Sequence, residues 1–434
     1  MTRLSTVVLA VVAAAAGGGC QRTVYDAEGV PRLGALLCAD PGTHACEALG
    51  VCARDDDAQR CEADCHPCAT DVPGARAICV ANACAYECAA GSLKCATGCC
   101  RAAAITAGGD HACAVTAGTG ELLCWGANND GQLGIGDPSG ADQPTPVKVA
   151  LPAPVVSASA GTAHSCAVVE GGAVYCWGRA SSFLSGAEYV FSPEEVAALS
   201  GATAIAAGGG HTCALRGGGA VRCAGAWNPG GLAGEPVASG ATAIATGDGF
   251  SCALVAGAVQ CWGANDHGQL GATGDVAQPA TIALAGPVSI LALGSDQGCA
   301  ATADPTAPVR CWGLRIGLSS DLATPYALDD VRYSVSALAG GAAHGCALRA
   351  PASDGVECWG NTAASPVIGG TALVVGAPVR VAVASPASAI AAGLSHTCAI
   401  DGAGAVVCWG RGDRGQLGDG RKVDAEIPVA VVSR

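Results

Sequence analysis

Fourteen cysteines stand in seven pairs between residues 113 and 408, the members of each pair 9 to 12 residues apart. Thiols at that spacing can do two kinds of chemistry. Oxidised, they close a disulfide across a hairpin. As thiolates, helped by an imidazole two residues before the first cysteine, they could ligate a metal such as zinc. His111, His164, His211, His344 and His396 occupy that position, but Phe250 and Gln297 replace the histidine in two copies that keep both cysteines. A metal ligand would not be dispensed with while its partners stay. The histidine is therefore read as structural, making a local backbone hydrogen bond, and no metal or catalytic residue is assigned. The cysteines are read as disulfides: Cys113–Cys124, Cys166–Cys176, Cys213–Cys223, Cys252–Cys261, Cys299–Cys311, Cys346–Cys358 and Cys398–Cys408. Buried free thiols are the alternative.

The element that must position each pair is a hairpin. With Cys213 opposite Cys223, Ala214 faces Arg222 and Leu215 faces Val221, leaving Gly217–Gly219 as a glycine loop. Cys252 and Cys261 leave the two-residue loop Ala256–Gly257. Opposed residues of a non-hydrogen-bonded pair lie about 4.5 Å apart at Cα, close enough to bridge. Tryptophan follows the second cysteine in six copies, at 125, 177, 262, 312, 359 and 409. Its recurrence at the same point of six repeats assigns it to packing between repeats, with a carbohydrate platform as the alternative. "GQLG" at 131, 268 and 415 is read as a turn.

First cysteines recur at intervals of 39 to 53 residues, a period typical of propellers or arrays. Each repeat offers about four short strands, the last of them flanked by proline. Only 13% of residues are charged and 64 are glycine, so the chain reads as all-β. A net charge of −14 without a basic cluster opposes nucleic-acid binding.

The total of 27 cysteines points to an oxidising compartment. "MTRLSTVVLAVVAAAAGGGC" has the charge, short apolar stretch and small residues of a signal peptide over 1–19. It resembles a bacterial lipoprotein leader, which implies lipidation of Cys20; Gly17, where leucine is preferred, leaves ordinary cleavage open. Setting Cys20 aside leaves 12 cysteines in 38–100 and 14 in the repeats, both even. The expected organisation is a lipidated N-terminus and linker over 20–37, a disulfide-rich segment over 38–100, and a repeat domain over 101–434. "CHPC" at 65–68 admits zinc, but export and the even count favour disulfides of undeduced connectivity. Localisation would be the cell envelope, with the outer membrane favoured because Gln21 and Arg22 lack an inner-membrane retention aspartate, or the medium if Cys20 is not lipidated.

The combination "AAGxxHTCAL", "VxCWG" and "NxxGQLGxG" resembles the regulator of chromosome condensation repeat family over roughly 102–434. That resemblance implies a seven-bladed β-propeller of four-stranded blades; period and strand pattern alone do not impose seven-fold closure. The family's eukaryotic founder exchanges nucleotide on a small GTPase. Export, acidity and short loops argue against that activity here. A secreted bacterial β-lactamase inhibitor with the same repeat type, which binds another protein through a propeller face, is the nearer analogue. The expected function is a non-catalytic module, without cofactor, presenting a rigid surface to an unidentified protein partner. The candidate binding loop is 179–196, with Arg179, Phe183, Tyr189 and Phe191. Tyr189 and Phe191 also carry the alternative of a glycan-binding surface, and a propeller hydrolase or lyase is a further rival without a visible active site.

Overall fold

The computed structural model describes short strands between residues 24 and 88, then residues 89–433 apart from 180, 182–187, 226–237, 272–275, 303, 305–306, 308, 315–320, 329–330, 332, 351–354, 361–377 and 384–385. Cys20 and the leader lie outside the described residues. The chain divides into two compact units. One comprises residues 1–89, 97–99 and 434; the other comprises 90–96 and 100–433. The first contains antiparallel pairs such as Ala75–Val80 with Ala83–Cys88, and the disulfide Cys88–Cys99.

The second unit is a seven-bladed β-propeller. Blade 1 runs from an inner strand Ala102–Ala107 through His111–Thr116 and Leu122–Gly126 to an outer strand Gln143–Lys148. Six blades repeat this four-stranded order, with inner strands beginning at Ala102, Val155, Ala241, Val288, Val335 and Ala387. The third, whose inner strand is Ala202–Ala207, has three strands and an isolated bridge from Val221 to Ala238. Proline within outer strands, as at Pro144, Pro146, Pro193, Pro279, Pro325 and Pro428, removes donors from edges that would otherwise template pairing with another chain.

The hairpins have the register that the cysteines demand. Cys213 faces Cys223, Ala214 faces Arg222 and Leu215 faces Val221. Val255 faces Ala258 around Ala256 and Gly257, both at positive φ (49° and 80°), as a tight primed turn requires. All seven repeat pairs are bonded, with Cα separations of 4.0–4.1 Å. Their cysteines lie in the apolar layers between blades, at most 7% exposed. The glycine after the tryptophan has φ between 88° and 139° in every blade, including Gly225 of the copy in which Ala224 replaces tryptophan.

Closure of the ring comes from the backbone. Immediately after each inner strand, an N–H reaches the next blade: Gly109 to Gly161 O (3.1 Å), Thr162 to Gly208 O (3.1 Å), and Gly209 to Gly247 O (3.2 Å). Asp248 donates to Ser295 O (2.9 Å), Ser295 to Gly341 O (3.3 Å) and Ala342 to Leu394 O (3.2 Å). Leu394 then donates to Gly108 O (3.1 Å), which returns the sequence of bonds to blade 1. A Cβ at Gly108, Gly161, Gly208, Gly247, Gly294, Gly341 or Gly393 would lie 2.2–2.6 Å from the next blade's carbonyl oxygen. The glycine of "AAG" is thus a condition of contact between blades.

A second set of bonds clamps the blades farther out. Trp177 donates from Nε1 to Gln132 O (2.9 Å), Trp312 to Gln269 O (2.8 Å) and Trp125 to Gln416 O (3.0 Å). Each acceptor is the glutamine of a "GQLG" turn in the preceding blade. The glutamine side chain holds its own turn, accepting at Oε1 from the N–H of Asp130, His267 or Arg414 at 2.8 Å. Trp359 follows a blade without a complete "GQLG", and its buried Nε1 has no partner among the described residues.

Blade 7 keeps its own outer strand, Ala425–Ala430, so the ring closes without strand exchange. At the other six joints a covalent linker crosses from one outer strand to the next inner strand, and residues such as Leu199 and Val331 are fully buried there. Between blades 7 and 1 the segment 90–96 takes that place. Gly91 accepts from Val406 N–H and donates to Val431 O, both at 2.8 Å, and Leu93 is fully buried with Trp125, Ile400, Val406 and Leu417.

Gly393→Ala should lower stability by about 3 kcal/mol or more, since both Gly108 O and His396 Cε1 lie 2.3 Å from the added carbon. Gly171→Ala, with φ 90° but nothing within 4 Å, should cost only about 1 kcal/mol. Urea midpoints of the two variants check the difference.

Candidate interaction face

The repeat histidines do not bond locally, as their place in the sequence suggested. Four of the five reach a hydroxyl of the next blade. His111 Nε2 lies 2.7 Å from Ser165 Oγ, His164 Nε2 2.7 Å from Thr212 Oγ1, His211 Nε2 2.6 Å from Ser251 Oγ and His344 Nε2 2.9 Å from Thr397 Oγ1. Ser165 donates its only hydroxyl hydrogen to Gln132 O (2.9 Å), so it must accept from His111, which fixes the Nε2–H tautomer of that neutral ring.

The hydroxyl always comes from the residue before the receiving blade's first cysteine, which explains the two exceptions. Blade 5 has Gly298 there and blade 6 has Gly345; a Cβ at these positions would lie 2.4 Å from Trp312 and 2.7 Å from Trp359. Indole fills the space of the hydroxyl, and the facing residues are Phe250 and Gln297. Gln297 instead donates from Nε2 to His344 O (3.1 Å). At the seventh joint His396 meets Ala112, and the side chain has no hydroxyl to reach.

Burial holds all five imidazoles neutral: proton uptake is pushed down to about 4 for His111, His211 and His344, and to about 3 for His164 and His396. Among the described residues, no group of three or more His, Cys, Asp or Glu is placed to hold a metal ion.

The candidate loop 179–196 is partly strand. Arg179 ends the third strand of blade 2, and Tyr189–Glu195 forms its outer strand, as the β-favouring run Tyr189, Val190, Phe191 allows. Phe183 lies outside the described residues. Phe191 packs on the first "GQLG" turn: a Cβ at Gly131 would lie 2.8 Å from its ring, and its carbonyl accepts from Gly136 N–H at 2.8 Å. That contact gives Phe191 a packing role, although the residue is only half-buried. Tyr189 remains 38% exposed beside it, with ring centroids 6.4 Å apart. Its bond to Glu188 holds the phenol above its ordinary range.

Arg179 leads into a polar strap that crosses three blades. Its Nη2 donates to Asp130 Oδ1 (2.9 Å), and Asn129 Nδ2 donates to Asp130 Oδ2 (2.7 Å). Arg414 of blade 7 donates to Asn129 Oδ1 (3.0 Å) and grips both oxygens of Asp142 at 2.9 Å. Lys422 adds a bond to Asp142 at 3.2 Å. Partial burial would raise the Asp142 carboxyl, but the bonds from Arg414 and Lys422 prevail and hold it below the ordinary range. Bidentate pairing fixes Arg414 in orientation as well as in place. The sequence singles out Arg179 and Tyr189 as candidates but not Asn129, Asp130, Asp142 or Arg414, which the fold brings into the same strap; their one signal is that complete "GQLG" loops are long and polar.

The ring encloses a central channel of about 300 Å³ lined by all seven inner strands. Its walls are small or aliphatic residues such as Ile105, Ile205, Leu291 and Ile390, and Asp248 is the only titratable side chain among the described lining residues.

Residues 102–132, 155–183, 202–229 and 387–416 match the regulator of chromosome condensation (RCC1) repeat, and 119–168 matches a second description of that repeat. The human E3 ubiquitin-protein ligase HERC2 is 36% identical over 101 residues, 23% of this chain and 2% of that protein. The human X-linked retinitis pigmentosa GTPase regulator is 43% identical over 70 residues, 16% of this chain and 7% of that protein. The matched stretches are thus small parts of both relatives. The crystal structure of human WBSCR16 shares the fold, with a TM-score of 0.61 and 21% identity over 72% of this chain and 93% of that one.

Unfolded histidine takes up its proton near pH 6.5, whereas the buried rings do so only near 3 to 4. The unfolded chain therefore binds more protons between those limits, and stability should fall as pH drops from about 6.5 towards 4. His396→Gln should reduce that slope by about one proton. Urea midpoints between pH 7 and pH 4.5 measure both, and a flat profile would contradict neutral burial. Ala112→Ser supplies the hydroxyl that His396 lacks and should stabilise the protein by about 1 kcal/mol in the same assay at pH 7.

Proposed function

The chain is a seven-bladed propeller of regulator of chromosome condensation repeats, and from that we propose a non-catalytic protein-binding module that uses the loop face of blades 7, 1 and 2. The observation that carries this reading is the strap from Lys422 through Asp142, Arg414, Asn129 and Asp130 to Arg179. It holds charged groups in fixed positions beside an exposed tyrosine. Rigid presentation of Arg and Tyr lowers the entropy lost when a partner is bound, and these residue types are frequent binding hot spots. The channel, with one titratable side chain along its described walls, gives little support to a hydrolase or lyase. The glycan reading keeps Tyr189 but loses support from Phe191, which is packed on the Gly131 turn.

The leader, the twelve cysteines of 38–100 and the even cysteine count support export. In this proposal Cys20 carries a lipid, the disulfide-rich segment spaces the propeller from the cell envelope, outer membrane favoured, and the partner is another protein of that compartment.

Arg179→Ala combined with Tyr189→Ala should leave the urea midpoint within about 1 kcal/mol of the parent, because both side chains are partly exposed and Asp130, which loses Arg179, keeps its bond from Asn129. The same pair should weaken capture of an envelope protein by about tenfold or more. Affinity capture with the oxidised mature chain, compared with this variant and with the reduced, unfolded chain, decides the matter. Equal capture by parent and variant would remove this face from the function.

A further inference from the structure

Six joints of the propeller are crossed by the chain itself, but blades 7 and 1 meet where it ends. That joint also lacks the histidine–hydroxyl bond, since His396 faces Ala112. Segment 90–96 compensates. Gly91 pairs with blade 7 through Val406 and Val431, Leu93 fills the space between the blades, and Ala96 N–H donates to Glu121 Oε2 of blade 1 at 3.0 Å. The disulfide Cys95–Cys100 adds a covalent tie between the end of this segment and the residues that lead into the inner strand of blade 1. Cys95 is buried but Cys100 is half-buried, whereas both members of every repeat pair are buried within the sheets. A thiol therefore reaches this bond, at Cys100, before it reaches the repeat bonds.

We infer that Cys95–Cys100 is a thiol-sensitive latch on the propeller ring, whose opening loosens the joint between blades 7 and 1. The polar strap crosses that joint at Arg414–Asp142, so the latch also governs the geometry of the interaction face; this second step rests on the binding function proposed above. The reductant is a dithiol. Its thiolate attacks one cysteine sulfur and expels the other as a thiolate, which takes up a proton. The second thiol of the reductant then displaces the first cysteine, leaving two protein thiols and a cyclic disulfide.

The oxidised mature protein is treated with increasing dithiothreitol under native conditions, alkylated and mapped by mass spectrometry. Cys95 and Cys100 should be modified before any of the fourteen repeat cysteines; modification of the repeat cysteines first would overturn the latch. The joint is read separately through hydrogen exchange of two indoles, Trp125 at this joint and Trp177 at the covalently linked joint between blades 1 and 2. Opening the latch, by reduction or by Cys95→Ser with Cys100→Ser, should speed exchange at Trp125 by about tenfold or more relative to Trp177. Leu93→Ala, which keeps the disulfide, should act in the same direction, and unchanged relative protection in all three forms would refute the mechanism. A loosened joint with undiminished partner capture would sever the latch from the face. Capture by none of the forms would count against the binding function and leave the latch judged by labelling and exchange alone.

Discussion

The seven carbonyl oxygens around the channel mouth set the terms for the rest of the molecule. Each accepts a backbone bond from the preceding blade at a turn where a side chain would block the approach, so each blade must offer glycine just after its inner strand. Buried backbone groups need partners, and here the partner is supplied from outside the blade's own sheet. No blade is complete in isolation. The channel is narrow because the inner strands are drawn together, which accounts for the run of alanine, serine and threonine on them.

Farther from the axis, the joints are of two kinds. In one, an imidazole meets a hydroxyl of the next blade, and between blades 1 and 2 His111, Ser165 and Trp177 are joined through the carbonyl of Gln132. In the other, glycine replaces the hydroxyl residue and the indole occupies its space, as at Gly298 and Gly345. A half-made network would strand buried polar atoms, and the chain mostly avoids this by changing both sides of the joint together. The joint between blades 7 and 1 departs from that habit at Ala112, and it is also the one with the most additional reinforcement from outside the repeats.

Hairpin register was legible in the sequence because a disulfide admits few geometries: once Cys213 opposes Cys223, period-two alternation places every neighbour. The tryptophans were legible for a similar reason, since recurrence at one position implies a shared environment. Contacts between blades were not. Arg414 and Asp142 are 272 residues apart, and no local pattern marks either as the other's partner. The histidines show the same limit, because their partners lie one repeat away. Tyr189–Glu195, read in the sequence as part of a loop, is an outer strand, in which Glu194 and Glu195 occupy exposed positions.

The paired changes across joints have a consequence for ancestry. A repeat protein that grows by duplication begins with blades that are mutually exchangeable. Once Phe250 has come to face Gly298, and Gln297 to face Gly345, blades 4, 5 and 6 fit only in their present order. Moving blade 5 between blades 1 and 2 would place His111 against Gly298 and Gln297 against Ser165. Seven similar units have become a sequence of matched neighbours, in which position around the ring is inherited along with the fold.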